Sequence, residues 1–411
     1  MDVRLVAVCL LYALVNVTYL LMAPFYPQMS ETRGLSALYV GVAFAAMPGA
    51  VVLSTPLMPT LLNHLSKRTL LLLGCGLESA GLTLLAASEP TTGTVFCALG
   101  LGSRLLSGAA LAIVQVTAFA FAATECAGRT KQVISVLETF AGVSVALGPV
   151  LSAPLYGLIG FQPIFYGGAV AFLLVSPLAC LLPPRVSDLA PVQSTVGLAA
   201  IVTLRVMHTQ PVLLDSLAVT YVMLCLGVME AYVSLRLLEL GVSMPMVGVA
   251  MSGQPAAYTL SCVFFARFLQ RLNLRTIITV GLGLGALGTA LCAPPDFLPA
   301  SPWIIWGGII LIGVGMASSF LPALPHMIDE CKRLGFTSSD DSLENALSSV
   351  TSASFSLGEM LGPALGRVAL VFVSFQTLVQ VLGVLGALVT GVYVVASARP
   401  LKEVEEQFID R

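Results

Sequence analysis

Long runs of apolar residues, separated by short polar breaks, dominate the chain from its third residue onward. Many of these runs exceed the ~20 residues that a helix needs to cross a bilayer. Prolines inside the runs predict kinks and not breaks. Cutting the chain at its polar breaks predicts twelve membrane-spanning helices, near Val3–Gln28, Ala37–Leu62, Thr69–Ala87, Thr94–Ala123, Val133–Gly157, Pro163–Leu182, Val212–Leu235, Met246–Phe268, Thr276–Ala293, Trp303–Met327, Leu343–Val373 and Phe375–Ala398.

A segment with paired prolines and small polar residues interrupts this pattern between the sixth and seventh runs. We interpret it as a linker on the cytoplasmic side, with space for one surface helix. The predicted organisation is an N-terminal six-helix bundle (1–184), a cytoplasmic linker (185–210) and a C-terminal six-helix bundle (211–411).

The two sets of helices repeat each other in sequence. When Tyr39 is laid over Met246, the chain matches itself without a gap as far as Gly81 over Gly288, and prolines, glycines and an Arg-Thr pair coincide. Since six spans return the chain to its starting side, the halves are parallel repeats. In such folds the solute site lies near the midplane, between the halves.

Composition excludes two broad classes of protein. Charged residues make up 10% and hydrophobic residues 57% of the chain, whereas soluble domains carry about one-quarter charged residues. The net charge of −2 leaves no basic surface for nucleic acid. The nine cysteines are scattered without a Cys-x-x-Cys pair, which predicts no metal site, no disulfide framework and no cofactor. We expect a monomer in the lipid bilayer.

Basic residues are distributed asymmetrically. All nineteen lysines and arginines except Arg33, Arg104, Arg236 and Arg367 fall on the side that carries both termini. Cytoplasmic loops are enriched in these residues, so both termini are predicted to be cytoplasmic. This pattern leaves vesicle, vacuole and plasma membrane open.

A few charged side chains interrupt the apolar runs, at Glu78, Arg104, Glu138, Glu230 and Glu359. Each costs ~2.5 to 3.5 kcal/mol at the bilayer centre, which makes each a functional candidate. A carboxyl in a low-dielectric cavity can exchange a proton near neutral pH and pair with a cation once ionised. Three acids on helices 5, 7 and 11 against one base favour a cationic solute.

Structural roles compete with these functional ones. Each glutamate can hold neighbouring helices together by hydrogen bonds, and Arg104 can be a proton-relay partner or a counter-ion. Glu78 is assigned to structural pairing, because Gly285 stands at its repeat position.

Polar and aromatic residues complete the set of candidates. Asn16 is a neutral polar group in helix 1, and Tyr19 offers a ring face for an ammonium group. The pairs Gly148-Pro149 and Gly362-Pro363 predict close packing and a bend that serves gating. The histidines His64, His208 and His326 are predicted to be solvated at the cytoplasmic ends.

Several motifs resemble those of a known transporter superfamily. The loop Pro59-x-Leu61-x-Asn63-His64-x-Ser66-Lys67-Arg68 resembles, in degraded form, the loop signature of the major facilitator superfamily. The sequences Arg104-x-x-x-Gly108 and Ser144-x-x-x-Gly148-Pro149 resemble its second motif and its antiporter motif. Leu137 to Gly142, followed by Leu147-Gly148-Pro149, resembles the vesicular amine transporter family, and in particular its polyamine branch.

That resemblance implies an all-α major facilitator fold and proton-coupled export of a cationic amine. The runner-up functions are an exporter of drugs or of another small metabolite, and a non-transporting receptor on the same fold. An enzyme is not expected, because no nucleophile with its base, no metal cluster and no lipid-activating motif appears in the sequence.

Overall fold

The computed structural model describes residues 3–35, 37–126, 130–184, 207, 209–268, 272–295, 298–299, 301–336 and 340–398. Within these ranges all regular structure is helical and no β-strand occurs. The predicted linker 185–210 therefore falls almost wholly outside the described residues, as does His208.

Fourteen α-helices form in the described part of the chain, and we number them in chain order. The N-terminal part comprises α1 (Val3–Tyr19), α2 (Tyr26–Thr32), α3 (Ala37–Ser54), α4 (Met58–His64), α5 (Lys67–Ser88), α6 (Gly93–Glu125), α7 (Thr130–Ile159) and α8 (Phe161–Val175). The C-terminal part comprises α9 (Gln210–Glu239), α10 (Met244–Phe268), α11 (Leu274–Cys292), α12 (Pro302–Arg333), α13 (Asp340–Leu370) and α14 (Phe375–Ala398).

Nine of the described helices or helix pairs are long and apolar enough to cross a membrane. Three further helices, α1, α10 and α13, occupy the places of the first, eighth and eleventh predicted spans. Of these, α1 is apolar but only 17 residues long. The helix order therefore follows the predicted spans, with differences at the ends and at some prolines.

Proline breaks three spans that were predicted to be only kinked. The first span ends at Tyr19 and resumes at Tyr26, around Pro24, and the turn between is closed by bonds such as Ala23 N–H to the Leu20 carbonyl at 3.1 Å. The second and sixth spans each change to a short 3₁₀ helix at a proline. A proline ring supplies no N–H and collides with the preceding turn, so the chain leaves the α-helical path.

The N-terminal and C-terminal parts meet along two seams. In one seam α7 packs against α10, and in the other α3 packs against α13. Glycines allow the close approach: a Cβ at Gly41 of α3 would lie 2.5 Å from the Pro363 carbonyl oxygen of α13. Any side chain at this position would force the seam apart.

One end of the helix bundle is rich in basic residues, and we call it the basic end, defined by Lys67, Arg275 and Arg333. Two contacts tie neighbouring helices together there. The Lys67 ammonium lies 3.3 Å from a Glu125 carboxylate oxygen, and the Arg275 guanidinium lies 3.8 Å from Glu330. The first contact joins α5 to α6, and the second joins α11 to α12.

Candidate functional site

Three charged side chains that the sequence singled out come together between the two parts of the chain. Arg104 extends from α6, and Glu230 and Glu359 extend from α9 and α13. Glu230 interacts electrostatically with both Glu359 and Arg104. The group therefore sets one cation of the N-terminal part against two carboxyls of the C-terminal part.

Arg104 is almost fully enclosed and only partly satisfied. Its guanidinium Nη2 donates to the carbonyl oxygen of Tyr19 at 3.3 Å, while its buried Nε has no hydrogen-bond partner. A buried guanidinium stays charged, so the negative groups around it must compensate that charge. This leaves Arg104 as a fixed positive charge that interacts with Glu78 of its own part as well as with Glu230 and Glu359.

Tyr19 lies where the three charges meet. Its side chain is partly buried at the last residue of α1. The phenol faces Glu359, and Glu230 and Arg104 are also within electrostatic range. Tyr19 thus offers both a hydroxyl and a ring face to the same group of charges.

A small cavity adjoins Glu230. It has a volume of about 20 Å³ and lies mainly between α9, α10 and α12, with Leu20 closing one side. Gln254 adds an amide to the wall, and most of the other lining side chains are aliphatic. A space of this size holds one water molecule. This cavity therefore has no room for an organic solute.

Glu138 lies apart from that group, on α7. Its carboxyl accepts a hydrogen bond from the Tyr12 hydroxyl of α1 at 3.3 Å and is otherwise exposed. Tyr258 and Cys262 of α10 are within its electrostatic range. Because residues of both parts surround Glu138, it borders the space between them.

Asn16 belongs with Tyr12 and not with Arg104. Its amide Nδ2 donates to the Tyr12 carbonyl oxygen at 2.8 Å, one turn earlier in the same helix. That bond fixes the amide against its own backbone.

Glu78 is completely buried in α5 and contacts the N-terminal part alone. The Thr18 hydroxyl donates to its Oε1 at 2.8 Å, while its Oε2 has no hydrogen-bond partner. Arg104 interacts with it electrostatically. Glu78 is thus paired within the N-terminal part, and its structural role stays a prediction.

The two Gly-Pro pairs lie at helix contacts. A Cβ at Gly148 would sit 2.6 Å from the Val17 carbonyl oxygen of α1, and one at Gly362 would collide with α9. The Pro149 carbonyl lies against Gly248 in the α7–α10 seam, and the Pro363 carbonyl accepts a hydrogen bond from Tyr232 at 2.8 Å. Both pairs therefore lie at close helix contacts that flank the seams, and their gating role stays a prediction.

Sequence reasoning missed one buried polar group. His326, predicted to be solvated, is only 7% exposed and contacts Asp215. The reason is local: α12 continues past the predicted end at Met327 as far as Arg333, which extends the packed bundle around this histidine. The only available signal was that Asp215 and Glu330 border long apolar runs.

Comparison with known families identifies the architecture. The Major Facilitator Superfamily matches residues 8–339, which is most of the chain. The chain belongs to this superfamily. It is therefore a membrane transporter and not an enzyme, as predicted.

Known relatives agree with this assignment. The MFS-type transporter SLC18B1 of Rattus norvegicus is 24% identical over 386 residues, covering 91% of this chain and 82% of the relative. The human protein of the same name is 24% identical over 384 residues, covering 91% and 81%. The resemblance noted in the sequence is thus confirmed for the superfamily and for these relatives.

Solved structures share the fold at low sequence identity. The nucleoside transporter NupG superimposes with a TM-score of 0.77 at 13% identity, covering 97% of this chain and all of that one. The tetrameric structure of PepTSo2 gives a TM-score of 0.66 at 13% identity, covering 96% and 97%. At this identity the likeness establishes the major facilitator fold and says nothing about the solute.

Proposed function

We propose that this transporter exchanges a cationic amine for protons, with Glu230 and Glu359 as the cation site. The observation that carries the proposal is the position of two mutually interacting carboxyls opposite a single arginine, between the two parts of the chain. An anion carrier would need several basic side chains at that place. Of the described residues near this group, Arg104 alone is basic.

The carboxyl pair supplies a reason for exchange. Two carboxyls that interact in a site of low dielectric cannot both ionise without a compensating positive charge. A proton or an ammonium group can provide that charge, but they compete for the same oxygens. Binding of one therefore favours release of the other, which is the requirement for antiport.

In this scheme Arg104 competes with the amine for interaction with Glu230 and Glu359. When no amine is present, its guanidinium compensates the glutamates from the facing part of the chain. An incoming ammonium group takes over that role and weakens the electrostatic attraction across the interface. Amine binding is thereby coupled to the relative movement of the N-terminal and C-terminal parts, because Arg104 stays near Glu230 and Glu359 in only one arrangement of these parts.

Tyr19 and Glu138 complete the proposed site. Tyr19 contributes a ring face to the ammonium group, an attraction of ~2 kcal/mol or more when desolvated. Glu138 is exposed and separate, so we assign it to proton exchange with the space between the two parts.

The finer organisation follows the same proposal. We retain the division into 1–184, 185–210 and 211–411, with both termini and the basic end on the cytoplasmic side. Export would then run from the cytoplasm towards an acidic compartment. Polyamines and monoamines both satisfy a two-carboxylate site, and a polyamine satisfies it more fully because it carries more than one ammonium group.

Counterflow in proteoliposomes tests the proposal. The full chain is reconstituted and loaded with unlabelled amine, and uptake of labelled polyamine, monoamine, nucleoside and organic anion is compared with and without a pH gradient. We expect cation exchange that the gradient accelerates. Equal exchange of the neutral and anionic solutes would favour another metabolite exporter, and no exchange of any solute would favour a non-transporting receptor.

Matched variants locate the site. Glu230→Gln and Glu359→Gln keep side-chain volume and remove charge, so each should weaken amine affinity. Glu239→Gln removes a carboxylate from the same helix as Glu230, at a position 64% exposed, and serves as the control. If all three variants behaved alike, the assignment of the carboxyl pair would be wrong.

A further inference from the structure

A second group of buried polar side chains lies in the C-terminal part, towards the basic end. Asp215 of α9 is fully buried, and its Oδ2 lies 2.7 Å from Nδ1 of His326 in α12. Its other oxygen accepts a hydrogen bond from the Tyr393 hydroxyl of α14 at 2.7 Å. One carboxyl therefore joins three helices that are distant in sequence.

The far side of the imidazole faces another carboxylate. His326 Nε2 lies 3.9 Å from Glu330 Oε1 and has no hydrogen-bond partner. The same Glu330 oxygen lies 3.0 Å from the Arg333 guanidinium and 3.8 Å from that of Arg275. Two arginines thus compensate Glu330, whereas Asp215 contacts no permanent cation among the described residues.

The number of protons on Asp215 and His326 determines whether this buried pair carries a net charge. An ionised Asp215 beside a neutral imidazole would have hydrogen bonds from Tyr393 and from one imidazole N–H, but it would be a buried charge with no positive charge in contact, which is unfavourable. One additional proton makes the pair neutral overall. On Asp215 it gives a neutral carboxyl beside imidazole, and on His326 it gives a carboxylate beside imidazolium. We propose that Asp215 and His326 together form a proton-binding site, separate from the central carboxyls, that holds α9, α12 and α14 together.

The proton belongs to the pair and not to one residue, because two groups in direct contact titrate together. An imidazole changes charge between about pH 5 and 8. The titratable and charged side chains that face the pair, among those described, are Glu330, Cys331 and Arg333 of α12, Arg275 of α11 and Tyr393 of α14. Loss of the extra proton would leave the Asp215 carboxylate with two neutral donors, the Tyr393 hydroxyl and the N–H that the imidazole retains, and with no positive charge in contact.

This site does not depend on the proposed amine exchange. Asp215 precedes Glu230 by fifteen residues in α9, which corresponds to about 22 Å along a helix with a rise of 1.5 Å per residue. A proton on Asp215–His326 is therefore out of direct reach of the central pair. The site can be present whether or not Glu230 and Glu359 bind an amine.

Nitrogen NMR of the imidazoles tests the proposal directly. The full chain is labelled with ¹⁵N-histidine, placed in lipid nanodiscs and titrated. The chain has three histidines, and His64 is exposed, so His64→Gln and His326→Gln assign the signals and His64 provides the solvated reference. We expect the His326 signals to report one proton-binding step, whose midpoint belongs to the Asp215–His326 pair.

Two variants should move that midpoint in opposite directions. Asp215→Asn removes the carboxylate that favours the proton and should lower the proton affinity of the site at least ~10-fold. Tyr393→Phe removes a donor to the carboxylate, which leaves Asp215 more basic, and should raise the proton affinity of the pair by about tenfold.

Other results of these measurements would contradict the proton-binding site. If the His326 signals reported no proton-binding step that responds to Asp215→Asn or to Tyr393→Phe, the proton site would not exist. If Asp215→Asn failed to fold, Tyr393→Phe alone would decide the matter, since it keeps both members of the pair. An unchanged or lowered proton affinity in Tyr393→Phe would overturn the proposal.

Discussion

Gly41 offers a direct test of how the seam between α3 and α13 controls conformation. A Cβ at this residue would lie 2.5 Å from the Pro363 carbonyl oxygen, 2.7 Å from the Tyr232 hydroxyl and 2.8 Å from the Arg367 Cβ. All three distances are below ordinary van der Waals contact, and one of the atoms belongs to the backbone. We predict that Gly41→Ala forces this seam open at the end away from the basic end.

The expected magnitude follows from overpacking. Extra carbon in a packed interface costs about 1 to 3 kcal/mol, which corresponds to a shift of about 5- to 150-fold in the population of the closed seam. Helix propensity works the other way, since Ala is ~1 kcal/mol better than Gly inside a helix. Gly76→Ala in α5 is the matched control, because a Cβ there would meet nothing within 4 Å.

Hydrogen–deuterium exchange of the purified chain in nanodiscs measures the effect. Peptides from the first turns of α3 and the last turns of α13 should take up deuterium faster in Gly41→Ala than in the parent chain. Gly76→Ala should leave the same peptides unchanged. Equal protection in all three proteins would show that the seam tolerates the extra carbon and would refute the reasoning.

Other expectations can be checked in the same preparations. Glu138→Gln should abolish accumulation driven by a pH gradient while amine binding through Glu230 or Glu359 persists; gradient-driven accumulation at matched protein levels would return Glu138 to a structural role. Tyr19→Leu removes the ring face and should weaken amine affinity about 30-fold, the value of a cation–π attraction of ~2 kcal/mol, and the exposed Tyr166→Leu should not. Burial raises the pKa of Glu31, Arg367 opposes this and Glu239 adds to it. The stability from Glu31 is thus present below its unfolded pKa and lost as pH rises through the raised folded pKa. Thermal unfolding of Glu31→Gln should lack that pH dependence, and an identical profile would contradict the assignment.

Run length and apolar character were sufficient to predict most helices. Span ends such as those of α14 coincide with the prediction, because a polar break in a hydrophobic run marks where the chain must leave the bilayer. Proline effects were harder to predict. Pro149 and Pro363 lie inside continuous helices while Pro24 lies in a break, and the difference depends on whether neighbouring helices satisfy the freed backbone groups.

The central charges could be predicted because each stands alone in an apolar run. Arg104, Glu230 and Glu359 are conspicuous for that reason, although their meeting depends on packing that no local pattern encodes. Asp215 and His326 were missed because both lie near the ends of their apolar runs, where a charged side chain costs little free energy. Only the packing of α9, α12 and α14 converts those terminal positions into an enclosed site.

The break after α1 has an electrostatic consequence. An α-helix carries a partial negative charge at its C-terminus, where the last carbonyl groups lack partners in their own helix. Because α1 stops at Tyr19 and does not continue through the membrane, that negative pole lies among the central charges, and the Tyr19 carbonyl already accepts a hydrogen bond from Arg104. Part of the negative field around Arg104 therefore comes from the peptide backbone, and no side-chain substitution at Glu230 or Glu359 can remove it.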